Sequence, residues 1–182
     1  MKRINAVRQT LRNHLRDPLR MKLPVGYSIR ARSPNKNGIT TMLMYGDKSL
    51  AYMNLDFSPY GKDKVMMTFE GGTYPNIRRQ GMGTLLRALI TKAALNSGVN
   101  NIHHMGINIE LLAAKKLAMN ESISLDNAKA RNPMPLSTKI VRKLGYAPRK
   151  EHNGIYQSYM TPYMNRAKLN NSIKYLTSAL NR

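Results

Sequence analysis

The stretch Arg78-Arg79-Gln80-Gly81-Met82-Gly83-Thr84 lies between residues with a strand pattern and residues with a helix pattern. Glycines one residue apart let the backbone turn tightly and let a ligand come close to the main chain. The helix that follows opens with N–H groups that have no intrahelical acceptor, at the positive end of its dipole. Strand, glycine turn and helix start together make an anion site suited to a phosphate or pyrophosphate. The same glycines would equally serve a tight strand-to-helix turn with no ligand. A Walker loop is ruled out because no Gly-Lys-Ser/Thr follows. A dinucleotide fingerprint is ruled out because Leu86 occupies the third glycine position.

Upstream, residues 27–32, 39–45, 50–57 and 64–69 read as four strands. Turn-forming runs join them at 33–38, 46–49 and 58–63, so the spacing predicts an antiparallel meander. Downstream, residues 84–97 predict a helix with Leu85, Leu86, Leu89, Ile90, Ala93 and Ala94 on its buried side and Gly98 closing it. A fifth strand is expected over 99–107, and a helical pattern over 109–119. A polar surface excursion follows over 120–136. A second core helix at 137–144 ends at Gly145, and a β-hairpin over 146–161 turns at Asn153-Gly154. The whole predicts an α/β (mixed α+β) sheet of modest size. Gly71-Gly72 suggests a bulge that splays the fourth strand from the next.

Both ends of the chain are basic. Of 182 residues, 30 are Lys or Arg and 9 are Asp or Glu, a formal charge of +21. Residues 1–22 hold seven basic groups and one acid, residues 137–182 nine and one, and residues 23–70 six and four. Residues 2–16 place Ile4, Val7, Leu11 and Leu15 at helical spacing with Arg8, Arg12 and Arg16 on another face. Such a helix can lie on a polyanion or dock its apolar stripe on the domain. A last amphipathic helix carries Leu169, Ile173, Leu176 and Leu180. We therefore expect basic helices at 1–22 and 162–182 to contact nucleic acid or an acidic protein partner. With no Cys, the chain has no disulfide framework, thiolate zinc site or thiol nucleophile. No apolar run reaches the ~20 residues of a membrane-spanning helix. The expected location is cytoplasmic or inside a nucleic-acid-containing particle, not secreted. His103 and His104 are neighbours on a strand and so point to opposite faces, where they cannot share one metal ion. No metal is expected. The inward member of the pair reads as a packed core histidine, and the 13 Met residues read as core filler.

Residues 74–86, Tyr-Pro-Asn-Ile-Arg-Arg-Gln-Gly-Met-Gly-Thr-Leu-Leu, resemble motif A of the GNAT (Gcn5-related) acyl-CoA N-acyltransferases, whose signature there is Arg/Gln-x-x-Gly-x-Gly/Ala. Lys143-Leu144-Gly145-Tyr146 is similar to the family's Lys-Leu-Gly-Phe after its last core helix. The order of elements agrees as well, and the resemblance covers roughly residues 27–161 of a domain spanning 23–161, with an insertion at 108–136. It implies a GNAT-like acyl-CoA N-acyltransferase fold flanked by the basic terminal helices. It also implies acetyl-CoA as cosubstrate and acetyl transfer to an amine acceptor. By resemblance, the backbone from Arg78 and Arg79 through Gln80, Gly81, Met82, Gly83 and Thr84 would cradle the pyrophosphate. Gly72 and Thr73 would contact the pantetheine and acyl carbonyl.

The catalytic pattern departs from the family's. Glu70, a carboxylate near the end of the fourth strand, is the candidate base, yet the family's glutamate more often falls where this chain has Met67. Val141 occupies the usual tyrosine acid position, so Tyr146, Tyr156 or Tyr159 would have to substitute, and Tyr146 is taken as the candidate. The helices that wall the acceptor site in the family have only residues 33–38 in their place. These departures, with the charge, keep open a second class of function: a non-catalytic GNAT-fold component of a virion, ribosome or similar particle.

Overall fold

The computed structural model describes residues 2–33, 38–73, 80–107, 136–152 and 155–180. The expected helix at 109–119, nearly all of the excursion at 120–136, most of the 33–38 turn, the Asn153-Gly154 turn, and Arg78 and Arg79 lie outside these residues. Helix α1 (Lys2–Arg16) and the short α2 (Pro18–Met21) precede four antiparallel strands: β1 (Tyr27–Arg32), β2 (Gly38–Tyr45), β3 (Lys48–Pro59) and β4 (Val65–Thr73). Helix α3 (Met82–Asn96) crosses to β5 (Asn101–Ile107), which lies parallel to β4. Helix α4 (Leu136–Lys143), the hairpin β6 (Ala147–His152) and β7 (Ile155–Met160), and helix α5 (Arg166–Ala179) complete the chain. The seven strands form one sheet in the order β1-β2-β3-β4-β5-β7-β6. The mixed α/β meander read from the sequence is therefore the observed architecture, with β3 and β4 longer than their apolar cores suggested.

Alternation sets the two faces of the sheet. Ala51, Met53, Leu55 and Phe57 of β3 are buried, while Tyr52, Asn54 and Asp56 between them are exposed. In register beside them stand Met67 and Phe69 of β4, buried on the same side. Helices α1, α3, α4 and α5 cover that side and touch one another. The apolar stripe of α1, Val7, Leu11 and Leu15, enters the same core as Leu169 and Ile173 of α5. The basic helices at the two ends are thus docked, with Arg3, Arg166, Lys168 and Lys174 exposed and Arg8 and Arg12 partly buried. Arg16 reinforces the docking by donating to the Ala31 carbonyl oxygen of β1 from Nε at 3.0 Å and Nη2 at 2.7 Å.

The β4–β5 pair decides where a ligand can enter. Asn100 clamps its start, donating its N–H to the Val65 carbonyl at 2.8 Å and accepting the Val65 N–H on Oδ1 at 2.9 Å. Three pairs follow, Met66 with Asn101, Met67 with Ile102 and Thr68 with His103, and then the strands part. The expected bulge at Gly71-Gly72 is absent from the β3–β4 ladder, which runs through Gly71 and Gly72 in continuous register. Gly71 has a different cause. A Cβ there would collide with the Tyr52 carbonyl oxygen and with the Met53 Cα, 2.7 Å away, whereas a Cβ on Gly72 would meet open space. Gly71→Ala should therefore destabilise the protein by about 1–3 kcal/mol through overpacking against backbone. Gly72→Ala should change stability by no more than about 0.5 kcal/mol. Denaturant midpoints of the two variants check this, and equal midpoints would refute the packing account.

Candidate functional site

A cavity of about 680 Å³ opens where β4 leaves β5. Its walls come from three directions. Met53, Gly71, Gly72 and Thr73 line it from the β3–β4 edge, Gly81, Gly83, Thr84 and Arg87 from α3, and Ser137 and Ile140 from α4. The volume is in the range of small-molecule sites, roughly 300–1,000 Å³.

The start of α3 is shaped by its glycines. Gly81 is the N-cap and adopts a left-handed φ of 79°, a conformation costly for most other residues. No side chain caps the helix, and Leu85 N–H is the first to find a carbonyl, that of Gly81 at 2.8 Å. Among the described residues no carbonyl takes the N–H groups of Met82, Gly83 and Thr84, which stand at the helix terminus as donors for an anion. A Cβ on Gly83 would sit 3.0 Å from Thr73 Cγ2, so glycine here lets helix and strand approach. Met82 turns into the core and Gln80 is exposed.

The sequence reading missed Met53, Ser137 and Ile140 as wall residues, and it missed Arg87. Arg87 is only 8% exposed, and its guanidinium carbon lies 4.9 Å from the centroid of the Phe69 ring. Its Nη1 reaches the Ser137 carbonyl oxygen at a long 3.5 Å, and its Nε has no partner. Among the described residues no carboxylate pairs with it. Burial pushes its pKa below the ordinary value, and the nearby Tyr146 pulls the other way. One signal was available in the sequence. Arg87 is the first charged residue of α3 and lies four positions after Gly83, hence on the same helix face.

The two catalytic candidates stand apart from the cavity wall. Glu70 is exposed on β4, paired in register with Asn54, and alternation puts it on the face opposite Phe69. It lies two residues past the last β4–β5 pair, at the edge of the opening. Tyr146 is buried, edge-on to Phe69 with ring centroids 6.3 Å apart. Its hydroxyl is 2.7 Å from Thr91 Oγ1, which itself donates to the Arg87 carbonyl at 2.8 Å. Thr91 has one hydrogen, so Tyr146 is the donor to it. Burial raises the Tyr146 pKa, so the phenol keeps its proton.

The two histidines do face opposite ways. His103 is half-buried, and its Nε2 accepts a hydrogen bond from Arg149 Nη1 at 3.1 Å. His104 is buried and stacked on Phe69, with centroids 5.7 Å apart and neither ring nitrogen hydrogen-bonded. Among the described residues no group of three His, Cys, Asp or Glu is placed to hold a metal ion. No helix among them is long and apolar enough to cross a membrane.

Strand order, the parting of β4 from β5 and the glycine turn into α3 are the arrangement the sequence resemblance implied. The fold is GNAT-like. No family model and no curated protein matches the chain. Solved structures do resemble it. The GNAT domain of S. lividans PAT is 10% identical with a TM-score of 0.47, over 71% of this chain and 64% of that domain. The structure of yncA from Salmonella typhimurium with its cofactor acetyl-CoA is 10% identical, TM-score 0.46, over 72% of this chain and 68% of its own. A ribosomal-protein-alanine N-acetyltransferase from Brucella melitensis is 12% identical, TM-score 0.45, over 68% of each chain. Likeness this distant transfers no residue role, so function has to be argued from this chain's own cleft.

His104 itself offers a test of the packing. Desolvation first, then Arg87 and His103, lower its pKa from 6.5 to about 4. The unfolded chain takes up a proton near pH 6.5 that the folded chain refuses until about pH 4. Stability present above pH 6.5 is therefore lost as pH falls towards 4, by up to ~3 kcal/mol from this group. Wild type should lose that much more than His104→Phe over this interval in denaturant titrations at several pH values. Parallel losses would show that His104 titrates normally.

Proposed function

We propose that the chain is an acyl-CoA-dependent N-acyltransferase of the N-acetyltransferase class, using acetyl-CoA or a related thioester as cosubstrate. The observation that carries the reading is a cavity joining an uncapped, glycine-built helix N-terminus to the point where β4 and β5 part. The first suits a pyrophosphate. The second frees backbone groups of Gly71, Gly72 and Thr73 from β5, so they can pair with the amide-bearing arm of the cosubstrate. Residues 78–84 would hold the diphosphate, with Arg78 and Arg79 adding charge. The thioester supplies an activated acyl carbon. The acceptor amine forms the new C–N bond, the C–S bond breaks, and CoA leaves as a thiol.

An attacking amine must lose a proton. Glu70 is our proposed base, because it borders the opening from the face that the described helices leave uncovered. Tyr146 enters this reading as a positioning residue, since its hydroxyl is buried and committed to Thr91. By calorimetry CoA should bind, and Gly83→Glu should weaken binding at least tenfold by adding bulk against Thr73 and a like charge beside the phosphates. No binding at millimolar CoA would sink the proposal. Glu70→Gln should lower thioester consumption with an amine acceptor while leaving CoA affinity unchanged. Unaltered turnover would remove Glu70 from the mechanism.

Charge favours a second property. Arg20, Lys22 and Lys92 converge on one small depression between α1, α2 and α3, beside His14 of α1 and Ile173 of α5. Arg3, Arg166, Lys168 and Lys174 are exposed on the same terminal helices. We propose that this surface associates with nucleic acid, bringing the enzyme to acceptors bound there, or serving a purely structural role in a particle if turnover is absent. Deleting the ends would remove Leu11 and Leu169 from the core, so the proper test is charge removal. Changing Arg3, Arg20, Lys22, Arg166, Lys168 and Lys174 to Gln should weaken binding to duplex DNA or RNA. It should also flatten the dependence of log affinity on log salt by about 0.7–0.9 for each phosphate that is no longer neutralised. An unchanged slope would refute the assignment.

A further inference from the structure

The cavity has two ends with different chemistry. At its mouth lie the free N–H groups of α3, which already provide for a diphosphate. About one helical turn further along α3, roughly 6 Å, stands Arg87. Its guanidinium lies over Phe69, the residue that follows the last paired residue of β4, and so at the apex where the strands separate. The long Arg87 side chain carries its charge away from the helix start and over Phe69, to the inner side of the cavity wall, and we take this as the acyl end.

Behind the cavity wall around Arg87, further buried polar atoms lack partners. Besides Arg87 Nε, both ring nitrogens of His104, Ser158 Oγ and Thr138 Oγ1 make no hydrogen bond. They share one neighbourhood. His104 and Ser158 are opposite each other in the β5–β7 ladder, and Thr138 packs on Gly106, two residues along the same face of β5. Arg87 Nη1 reaches over to Ser137. Buried polar groups are rarely left unpaired, and a buried guanidinium without a counter-ion is the costliest of them. Water can satisfy hydroxyls and an imidazole but cannot neutralise a charge. Within the described residues no carboxylate pairs with Arg87, and an anionic ligand group in the cavity would supply its counter-charge.

We propose that the acyl end of the cavity is built for a thioester whose acyl chain ends in a carboxylate, a dicarboxylic monoacyl-CoA of the malonyl or succinyl kind, held by Arg87 with His104 beside it. This rests on the reading of the cleft as an acyl-CoA site and narrows the donor. Transfer would follow the same balance: the amine nitrogen bonds to the thioester carbon, the C–S bond breaks, and CoA leaves as the thiol. Of the two protons the acceptor ammonium sheds, one passes to the base and the other to the departing sulfur, and the distal carboxylate is unchanged throughout. The product amide carries that carboxylate, so an acceptor that began as a cation ends as an anion.

Calorimetric titration of the full chain with CoA, acetyl-CoA and succinyl-CoA tests this, repeated on Arg87→Met and Arg87→Lys. Malonyl-CoA serves as a second carboxylated donor. A carboxylated thioester should bind at least about tenfold more tightly than acetyl-CoA. Arg87→Met should erase that preference while changing affinity for CoA itself by less than about threefold, and Arg87→Lys should restore part of it. Arg87→Met removes an unpaired buried charge and keeps the side-chain length, so its thermal midpoint should not fall. Equal affinity for acetyl-CoA and both carboxylated donors would overturn the proposal and leave the acyl-CoA reading standing. An equal loss for every ligand in Arg87→Met would place Arg87 against the phosphates and also overturn it. Failure of wild type to bind any of the thioesters would instead sink the acyl-CoA reading beneath it.

Discussion

The separation of β4 from β5 is the constraint on which the molecule depends. Asn100 locks the two strands together at one end through reciprocal bonds with Val65, and the parallel ladder lasts three pairs. Beyond Thr68, among the described residues, the backbone of β4 is paired only on its β3 side. That opening is possible because β4 is held firmly there, in unbroken register to Thr73, with Gly71 pressed against the β3 backbone too closely for any side chain. The strand can thus leave one neighbour without losing its place.

Helix α3 converts the opening into a cavity. It is buried on most of its circumference, with β2, β3 and β4 beneath it and α1 and α5 on its flanks. Leu176 of α5 approaches within 3.2 Å of where a Gly81 Cβ would sit, so the terminal helix packs directly on the N-cap. Asn165, itself in a left-handed conformation, pins the start of α5 by donating from Nδ2 to the Gly145 carbonyl at 3.1 Å. The basic ends therefore do two things at once. Their apolar stripes complete the core around the glycine turn, and they leave Arg3, Arg166, Lys168 and Lys174 exposed.

Much of this was legible in the chain because it depends on local chemistry. Alternation in β3, helical spacing in α1 and α3, and the glycine punctuation at 46, 81 and 98 are properties of short windows. The site was legible only in part. Gly81 and Gly83 declare themselves through backbone need. Arg87, Ser137 and Met53 do not, because each is ordinary in its own window and acquires meaning from what packs opposite. Gly71 was noticed for the wrong reason. A glycine pair in a strand suggests a bulge, whereas the cause here is a close approach between strands that no single-strand pattern can reveal.

The amino-acid order by itself determined the run of strands and helices, the anion-suited turn at Gly81-Met82-Gly83, and the concentration of charge at both ends. These follow from backbone sterics, side-chain periodicity and counting, which need no partner. Only the tertiary structure decided that the ends dock, that Tyr146 gives its hydroxyl to Thr91, and that Glu70 lies across the sheet from the cavity. It also decided that a guanidinium with no carboxylate partner among the described residues is buried where two strands part, near unpaired atoms of His104, Ser158 and Thr138. Those are relations between residues far apart in the chain, and solvent exclusion, which gives each of them its energy, exists only once the chain has closed around them.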